Sequence, residues 1–164
     1  MKFPFYGFPM NNKILVAYVT KGGATEQYAQ VIADTLLAEK QTVTLCNLSS
    51  ELPDIKDFDT LILGAGVRMF MVYRRWKKIL KNTAIHQKNL YLFLSSGMAI
   101  EEPEKAVEKF LTPLVQRYDL TPKSMISFPG IIPEKWKQEN DPKETMKPEI
   151  ATAWAGKILS DLPA

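Results

Sequence analysis

Apolar runs of strand length alternate with segments of helical periodicity from residue 13 to the end of the chain. Nearly continuous apolar runs are typical of parallel strands buried on both faces, and they occur at residues 13–19, 60–63 and 90–94. Two further strands are predicted at residues 42–48 and 123–128. Apolar positions three and four residues apart predict amphipathic helices at residues 25–40, 72–82, 103–118 and 148–162. Within the third of these, Pro113 is expected to kink or split the helix near Thr112.

Five strands interleaved with helices predict an α/β fold in which helices cover both faces of a parallel sheet. We expect a three-layer sandwich with one five-stranded sheet in the order 2-1-3-4-5. Ligands bind such sheets outside the carboxyl ends of the strands, at the point where the strand order reverses. The three connections at that point are residues 20–25, 64–71 and 95–102.

The connection after the first strand contains residue types that suit a phosphate. Its residues are Thr20, Lys21, Gly22, Gly23, Ala24 and Thr25. Glycines let backbone N–H groups approach a ligand closely, and the start of a helix offers unpaired donors. Hydroxyl groups and the Lys21 ammonium add further donors, and Thr25 is also expected to cap the helix. A simple glycine turn has the same composition, but two more glycine-bearing connections at one sheet edge favour phosphate binding.

The segment Tyr18–Thr25 resembles the FMN-phosphate loop of the flavodoxin family, whose common pattern is T-x-T-G-x-T. Thr20, Gly23 and Thr25 match this pattern, and Gly22 stands where the family usually has its middle threonine. The resemblance implies a flavodoxin-like fold that binds FMN noncovalently and moves electrons through it.

Two other segments look most like one branch of that family, the branch containing menaquinone-dependent protoporphyrinogen oxidase. They are Leu63–Arg68 and Ser127–Gly130. This finer resemblance implies a small-molecule substrate and a quinone acceptor.

The resemblance also implies that the second and third connections hold the flavin ring. The predicted ring-binding residues are Gly64, Ala65, Gly66, Val67, Arg68, Met69, Phe70, Ser95, Ser96, Gly97 and Met98. Arg68 is expected to place positive charge near the ring, and Met98 or backbone to serve where the family often has a tyrosine. For Met69–Met71, packing in the core is an equally good interpretation.

Composition indicates one packed domain, since the chain has 164 residues, of which 46% are hydrophobic and 24% charged. We expect the domain to span residues 13–164, after an aromatic and proline-rich extension at residues 1–12 that packs on the domain or contacts a partner. The single Cys46 and single His86 exclude an internal disulfide and a histidine-rich metal site. Cys46 is expected to be a small core residue, and a free thiol suits a cytoplasmic protein.

Charge is concentrated on the second predicted helix, although the net charge of the chain is only +3. Its outer face is predicted to carry Arg74, Arg75, Lys77, Lys78 and Lys81. This face is either a solvated surface or a docking site for an acidic redox partner such as a ferredoxin. An anionic membrane surface is a less favoured partner, and nucleic acid is not indicated because no recognition motif accompanies the charges.

Three functions are consistent with these features. The favoured one is an FMN-binding electron carrier between redox partners, which needs no catalytic acid, base or nucleophile because the flavin supplies the chemistry. The second is a protoporphyrinogen oxidase-like enzyme linked to a quinone. Members of that branch usually carry a basic insertion near the fifth strand, whereas residues 129–147 balance four lysines with four acidic residues. The third is a binding module of the same fold without a cofactor.

Overall fold

The structure is a computed structural model that describes residues 12–20, 23–68, 71–72, 74–132, 135, 137–140 and 144–162. The expected extension at residues 1–12 lies outside this part of the chain, except for Asn12. The elements, in chain order, are β1 (Lys13–Val19), α1 (Ala24–Ala38), β2 (Thr42–Asn47), β3 (Thr60–Arg68), β4 (Met71–Val72), α2 (Arg74–Leu80), β5 (Asn89–Ser96), α3 (Pro103–Ala106), α4 (Thr112–Arg117), β6 (Ser124–Pro129) and α5 (Pro148–Asp161).

Five of the strands form the predicted parallel sheet. Their order is β2-β1-β3-β5-β6, and β4 pairs antiparallel with the end of β3. Counted without β4, this is the order 2-1-3-4-5, so the predicted α/β sandwich is confirmed.

Each face of the sheet packs against its own layer of helices, because successive side chains of a strand point to opposite faces. Along β1, Ile14 and Val16 belong to the core under α1 and α5, whereas Leu15 and Ala17 belong to the core that includes Trp76 of α2. All five side chains are fully buried. The two cores hold the sheet rigidly between the helix layers and thereby fix the positions of the strand ends.

The third strand is longer than its apolar pattern predicts. The expected end of this strand at residues 64–66 is wrong, because β3 continues to Arg68 and then turns back into β4. Glycine in a strand marks a close approach by a neighbour, and the Phe93 ring of β5 occupies the space above Gly64. The predicted helix from residue 72 therefore begins only at Arg74, as α2.

The predicted split at Pro113 is confirmed. A π-turn at Val107–Leu111 joins α3 to α4, which starts at Thr112. Proline has no N–H to donate, so a regular helix cannot run through this point unchanged.

Cys46 is a core residue, as expected. Its side chain is 3% exposed, and burial raises the pKa of the thiol to about 11. The thiol is therefore protonated at neutral pH, which disfavours a redox role. In the described part of the chain, no helix is both long enough and apolar enough to cross a membrane.

Candidate functional site

The three predicted connections leave the sheet at the same edge. In the register of the sheet, Val19 of β1 lies beside Ala65, Gly66 lies beside Ser95, and Ser96 lies beside Pro129. The carboxyl ends of β1, β3 and β5 therefore meet where the strand order reverses, which is the place that sequence reasoning assigned to a ligand.

The first connection is a tight turn into α1. Gly23 has φ 85°, a left-handed conformation that favours glycine, and its N–H donates to Thr20 Oγ1 at 3.2 Å. Lys21 and Gly22, both predicted to contact phosphate, lie outside the described residues. Gly23 itself precedes the first helical residue, Ala24, so the expected capping role of Thr25 is wrong.

Thr25 instead points into the protein and meets a residue from the third connection. Its Oγ1 lies 2.6 Å from Ser95 Oγ, and the two side chains are 0% and 5% exposed. The prediction grouped Ser95 with the ring-binding residues, whereas the structure places its hydroxyl beside the first turn of α1. Side-chain alternation along β5 could have predicted this position. Ser95 shares a face of the sheet with Tyr91 and Phe93, which pack under the α1 layer.

A carboxylate in the same turn is held by a tyrosine. Tyr18 Oη donates to Glu26 Oε1 at 2.6 Å. Burial, followed by this hydrogen bond, raises the pKa of Tyr18 to about 12. The contact fixes the only acidic side chain of the first turn of α1.

The second connection does not begin where the sequence suggested. Gly64, Ala65 and Gly66 are buried inside β3, and the Phe93 ring covers Gly64. The segment that projects beyond the sheet edge is the hairpin formed by Val67–Arg68 and β4. Its tip, which includes the predicted contacts Met69 and Phe70, lies outside the described residues. The contacts of Gly64, Ala65 and Gly66 with a flavin ring therefore stay a prediction.

The third connection combines a buried anchor with an open backbone. Ser96 Oγ lies 3.0 Å from Ser127 Oγ and accepts a hydrogen bond from Ala99 N at 3.2 Å. Gly97 is exposed, with open space where a side chain would be, and Met98 is half-buried. This connection therefore exposes backbone to a ligand at Gly97 while Ser96 holds it in place.

One structural feature of the edge was not predicted. The segment after β6 leaves and returns at the same place, where Thr145 Oγ1 donates to the Gly130 carbonyl and Gly130 N donates to Ser96 O at 2.8 Å. The Tyr28 hydroxyl joins the two ends as well, since it donates to Pro129 O and accepts from Lys147 N. Tyr28 occupies a core position of α1 and has the pattern of an ordinary apolar residue, so the sequence offered no signal for this role.

Positive charge is concentrated near this edge. Residues 60–100 contain seven lysines and arginines and no aspartate or glutamate, and five of the seven lie in or directly after α2. Within the described residues, Lys105 forms a salt bridge with Glu102, and no lysine or arginine of α2 is paired with a carboxylate. Arg75 is exposed, as predicted, and its Nη1 also donates to the carbonyl oxygen of Leu48.

The strand order and the helix N-terminus at the reversal point define a doubly wound α/β fold. A family model described as a flavodoxin domain matches residues 15–135. The chain therefore belongs to the flavodoxin family. No curated protein matches it.

Solved structures agree with this fold at low sequence identity. Flavodoxin 1 from Bacillus cereus is 14% identical, with a TM-score of 0.67 over 92% of this chain and 99% of that one. A Fusobacterium nucleatum flavodoxin bound to flavin mononucleotide is 17% identical, with a TM-score of 0.62 over 92% and 99%. The chain also matches rubredoxin oxygen:oxidoreductase from Desulfovibrio gigas (17% identity, TM-score 0.64), covering 92% of itself but 36% of that protein.

None of these comparisons supports the protoporphyrinogen oxidase branch that the sequence suggested. The suggestion depended on short loop segments, and one of them, Leu63–Arg68, proves to be the end of a buried strand. The first of its two glycines, Gly64, is explained by the packing of Phe93.

Proposed function

We propose that the protein binds one FMN noncovalently at the carboxyl edge of the sheet and carries electrons between redox partners. The observation that carries this proposal is the meeting of the α1 N-terminus, the Thr25–Ser95 hydroxyl pair and the open Gly97 backbone at one edge of a flavodoxin-family sheet.

The phosphate end suits this group. The first N–H groups of a helix have no partner within the helix and carry partial positive charge, which favours a phosphate. The first backbone hydrogen bond of α1 runs from Gln27 N to Gly23 O. The N–H groups of Ala24, Thr25 and Glu26 come before it and therefore lack a partner within the helix. Thr25 adds a hydroxyl, and Tyr18 holds the Glu26 carboxylate through its hydrogen bond.

The ring end is formed by the two connections that extend from β3 and β5. Val67 and Met98 are half-buried against the same core, so they offer apolar surface to a flat ring. The exposed Gly97 backbone supplies polar groups for the ring edge. When bound, FMN supplies reversible electron transfer, and the residues of the chain bind, orient and shield it.

A redox partner is proposed to dock on the outer face of α2. Arg74, Lys78 and Lys81 are exposed, Lys77 is partly exposed, and none has a carboxylate partner in the described chain. These positions are three or four residues apart, where each like-charged pair costs about 0.2–0.5 kcal/mol in a helix. Arg74 also opposes the positive end of the helix dipole. Since this arrangement of like charges destabilises α2, we infer that its role is to bind an acidic protein partner.

Titration with FMN tests the proposal. Flavin fluorescence should be quenched with 1:1 stoichiometry, and riboflavin, which lacks the phosphate, should bind more weakly. Failure to bind any flavin would identify a binding module of this fold without a cofactor. If the protein oxidised a small molecule such as protoporphyrinogen with a quinone, without a protein partner, it would be an enzyme and not an electron carrier.

A further inference from the structure

The Thr25–Ser95 hydroxyl pair joins two parts of the chain that are 70 residues apart in sequence. Thr25 is the second residue of α1, and Ser95 lies one residue before the end of β5. The 2.6 Å separation of the two oxygens lies within the ordinary range of hydroxyl hydrogen bonds. A buried hydrogen bond between them holds the Thr25 and Ser95 side chains in one orientation.

Local geometry explains why these two residues meet. In the strand order, β3 lies between β1, which leads into α1, and β5. The β3 residue in register with Ser95 is Gly66. Because glycine has no side chain, Thr25 can reach across β3 to the hydroxyl on β5.

Counting hydrogen atoms shows what the pair can offer a ligand. Each hydroxyl has one hydrogen, and the contact between them uses one of the two. Among the described residues, neither hydroxyl has a further hydrogen-bond partner. If Ser95 donates to Thr25, the hydrogen of Thr25 is left without an acceptor among the described residues. Because Thr25 is 0% exposed, the turn before α1 must open for a phosphate to accept this hydrogen.

We propose that Ser95 is a positioning residue for the FMN phosphate, donating to Thr25 so that Thr25 donates to the phosphate. The inference rests on the proposed binding of FMN. A phosphate at the α1 N-terminus selects this order of donors, because donation from Ser95 polarises the Thr25 hydroxyl and strengthens its bond to an anion. Ser95 thus acts at the phosphate end of the site, although it comes from the strand that leads to the ring-binding connection.

Comparison of FMN with riboflavin tests the inference, because only FMN has the phosphate. In Ser95→Ala the dissociation constant of FMN should rise roughly three- to tenfold, whereas that of riboflavin should stay within about twofold. Ser95→Thr, which keeps the hydroxyl, should restore most of the preference for FMN. The ³¹P resonance of bound FMN should shift in Ser95→Ala and return towards the wild-type position in Ser95→Thr.

Ser127→Ala is the matched control. Ser127 is a buried serine at the same sheet edge, and its hydroxyl lies 3.0 Å from that of Ser96. Its loss should lower the melting temperature of the flavin-free protein without changing the ratio of FMN to riboflavin affinity. An equal change of that ratio in both alanine variants would overturn the inference.

A double-mutant cycle provides the second test. If Ser95 acts only through Thr25, Thr25→Ala with Ser95→Ala should bind FMN as Thr25→Ala alone does. Fully additive losses would contradict the relay. Wild-type protein that binds no FMN would overturn the proposed function and this inference together. Wild-type protein that prefers FMN, with an unchanged ratio in Ser95→Ala, would overturn the inference alone.

Discussion

The hydroxyl of Tyr28 on α1 lies 3.0 Å from the backbone nitrogen of Lys147, just before α5, and donates to the carbonyl of Pro129 at the end of β6. One buried side chain thus closes the segment between the last strand and the last helix. Stacking of the Tyr28 and Phe128 rings, with centroids 4.6 Å apart, fixes the hydroxyl at this point. The same helix supplies the first turn of the candidate phosphate site, so α1 holds both features together.

Tyr28→Phe should lower the free energy of unfolding by about 1–3 kcal/mol, because the partly buried Lys147 N–H and the buried Pro129 carbonyl lose their shared partner. Proteolysis within residues 131–144 should become faster. Urea denaturation and timed digestion measure the two effects. Tyr118→Phe is the matched control, since the Tyr118 hydroxyl makes no hydrogen bond among the described residues and its loss should change neither quantity. Equal effects of the two variants would show that the hydrogen bonds of the Tyr28 hydroxyl do not stabilise the fold or protect residues 131–144.

Gly64→Ala should be strongly destabilising. A Cβ at this position would lie 2.0 Å from Cζ of Phe93, so the ring must move within a packed core. Such overpacking costs about 1–3 kcal/mol, measurable by urea denaturation. Phe93→Leu in the same chain should recover part of the loss. Gly156→Ala in α5 is the control, because a Cβ there meets nothing within 4 Å and alanine favours a helix by about 1 kcal/mol. Equal loss in both variants would contradict the close packing.

Local pattern predicted the strand order and the edge where the candidate site lies, because buried parallel strands and amphipathic helices are repetitive signals. Residues 64–66 were misjudged because a glycine that makes room for a side chain on the next strand looks like a glycine in a turn. Only the register of Gly64 with Phe93 separates the two. Likewise, the contact of Ser95 with Thr25 depends on strand order and register, which no window of neighbouring residues contains.

Stability should fall at alkaline pH. Burial, reinforced by hydrogen bonds to Glu26 and Asp161, raises the pKa of Tyr18 and that of Tyr91 to about 12, from an ordinary value of 10.0. Both folded-state pKa values exceed the unfolded one. The contribution of the two tyrosines to the free energy of unfolding is therefore complete below pH 10 and is lost as the pH rises from about 10 to 12. Urea denaturation at pH 8 and at pH 11 measures this loss. The double variant Tyr18→Phe with Tyr91→Phe should show a smaller fall, and an unchanged fall would contradict the assignment.

Arg75 and Arg74 should behave differently although they are neighbours on α2. Arg75→Ala removes the hydrogen bond from its guanidinium to the Leu48 carbonyl, which joins α2 to the end of β2. A loss of about 1 kcal/mol in the free energy of unfolding is expected. Arg74→Ala is the control and should be neutral or slightly stabilising, because it relieves repulsion with Lys78. Equal stabilities of the two variants in urea would show that the Arg75 contact is not maintained in solution.

The basic face of α2 should control the rate of electron transfer with an acidic donor. Reversal of Arg74 and Lys78 to glutamate leaves the Arg75 anchor intact and changes the local charge by four units. Association with a reduced ferredoxin should then slow by about tenfold or more at low salt, because electrostatic steering is lost. At high salt the wild-type and reversed proteins should converge, since screening removes the attraction. Stopped-flow reduction of the FMN-loaded protein at two ionic strengths measures both effects.

A matched reversal on another surface separates docking from a general charge effect. Lys105→Glu with Lys109→Glu makes the same change in net charge on α3 and the π-turn, away from α2. This variant should retain most of the wild-type rate, and both reversed proteins should bind FMN as the wild type does. Equal slowing by the two reversals would assign the effect to net charge. Rates that respond to neither salt nor reversal would leave α2 as a solvated face.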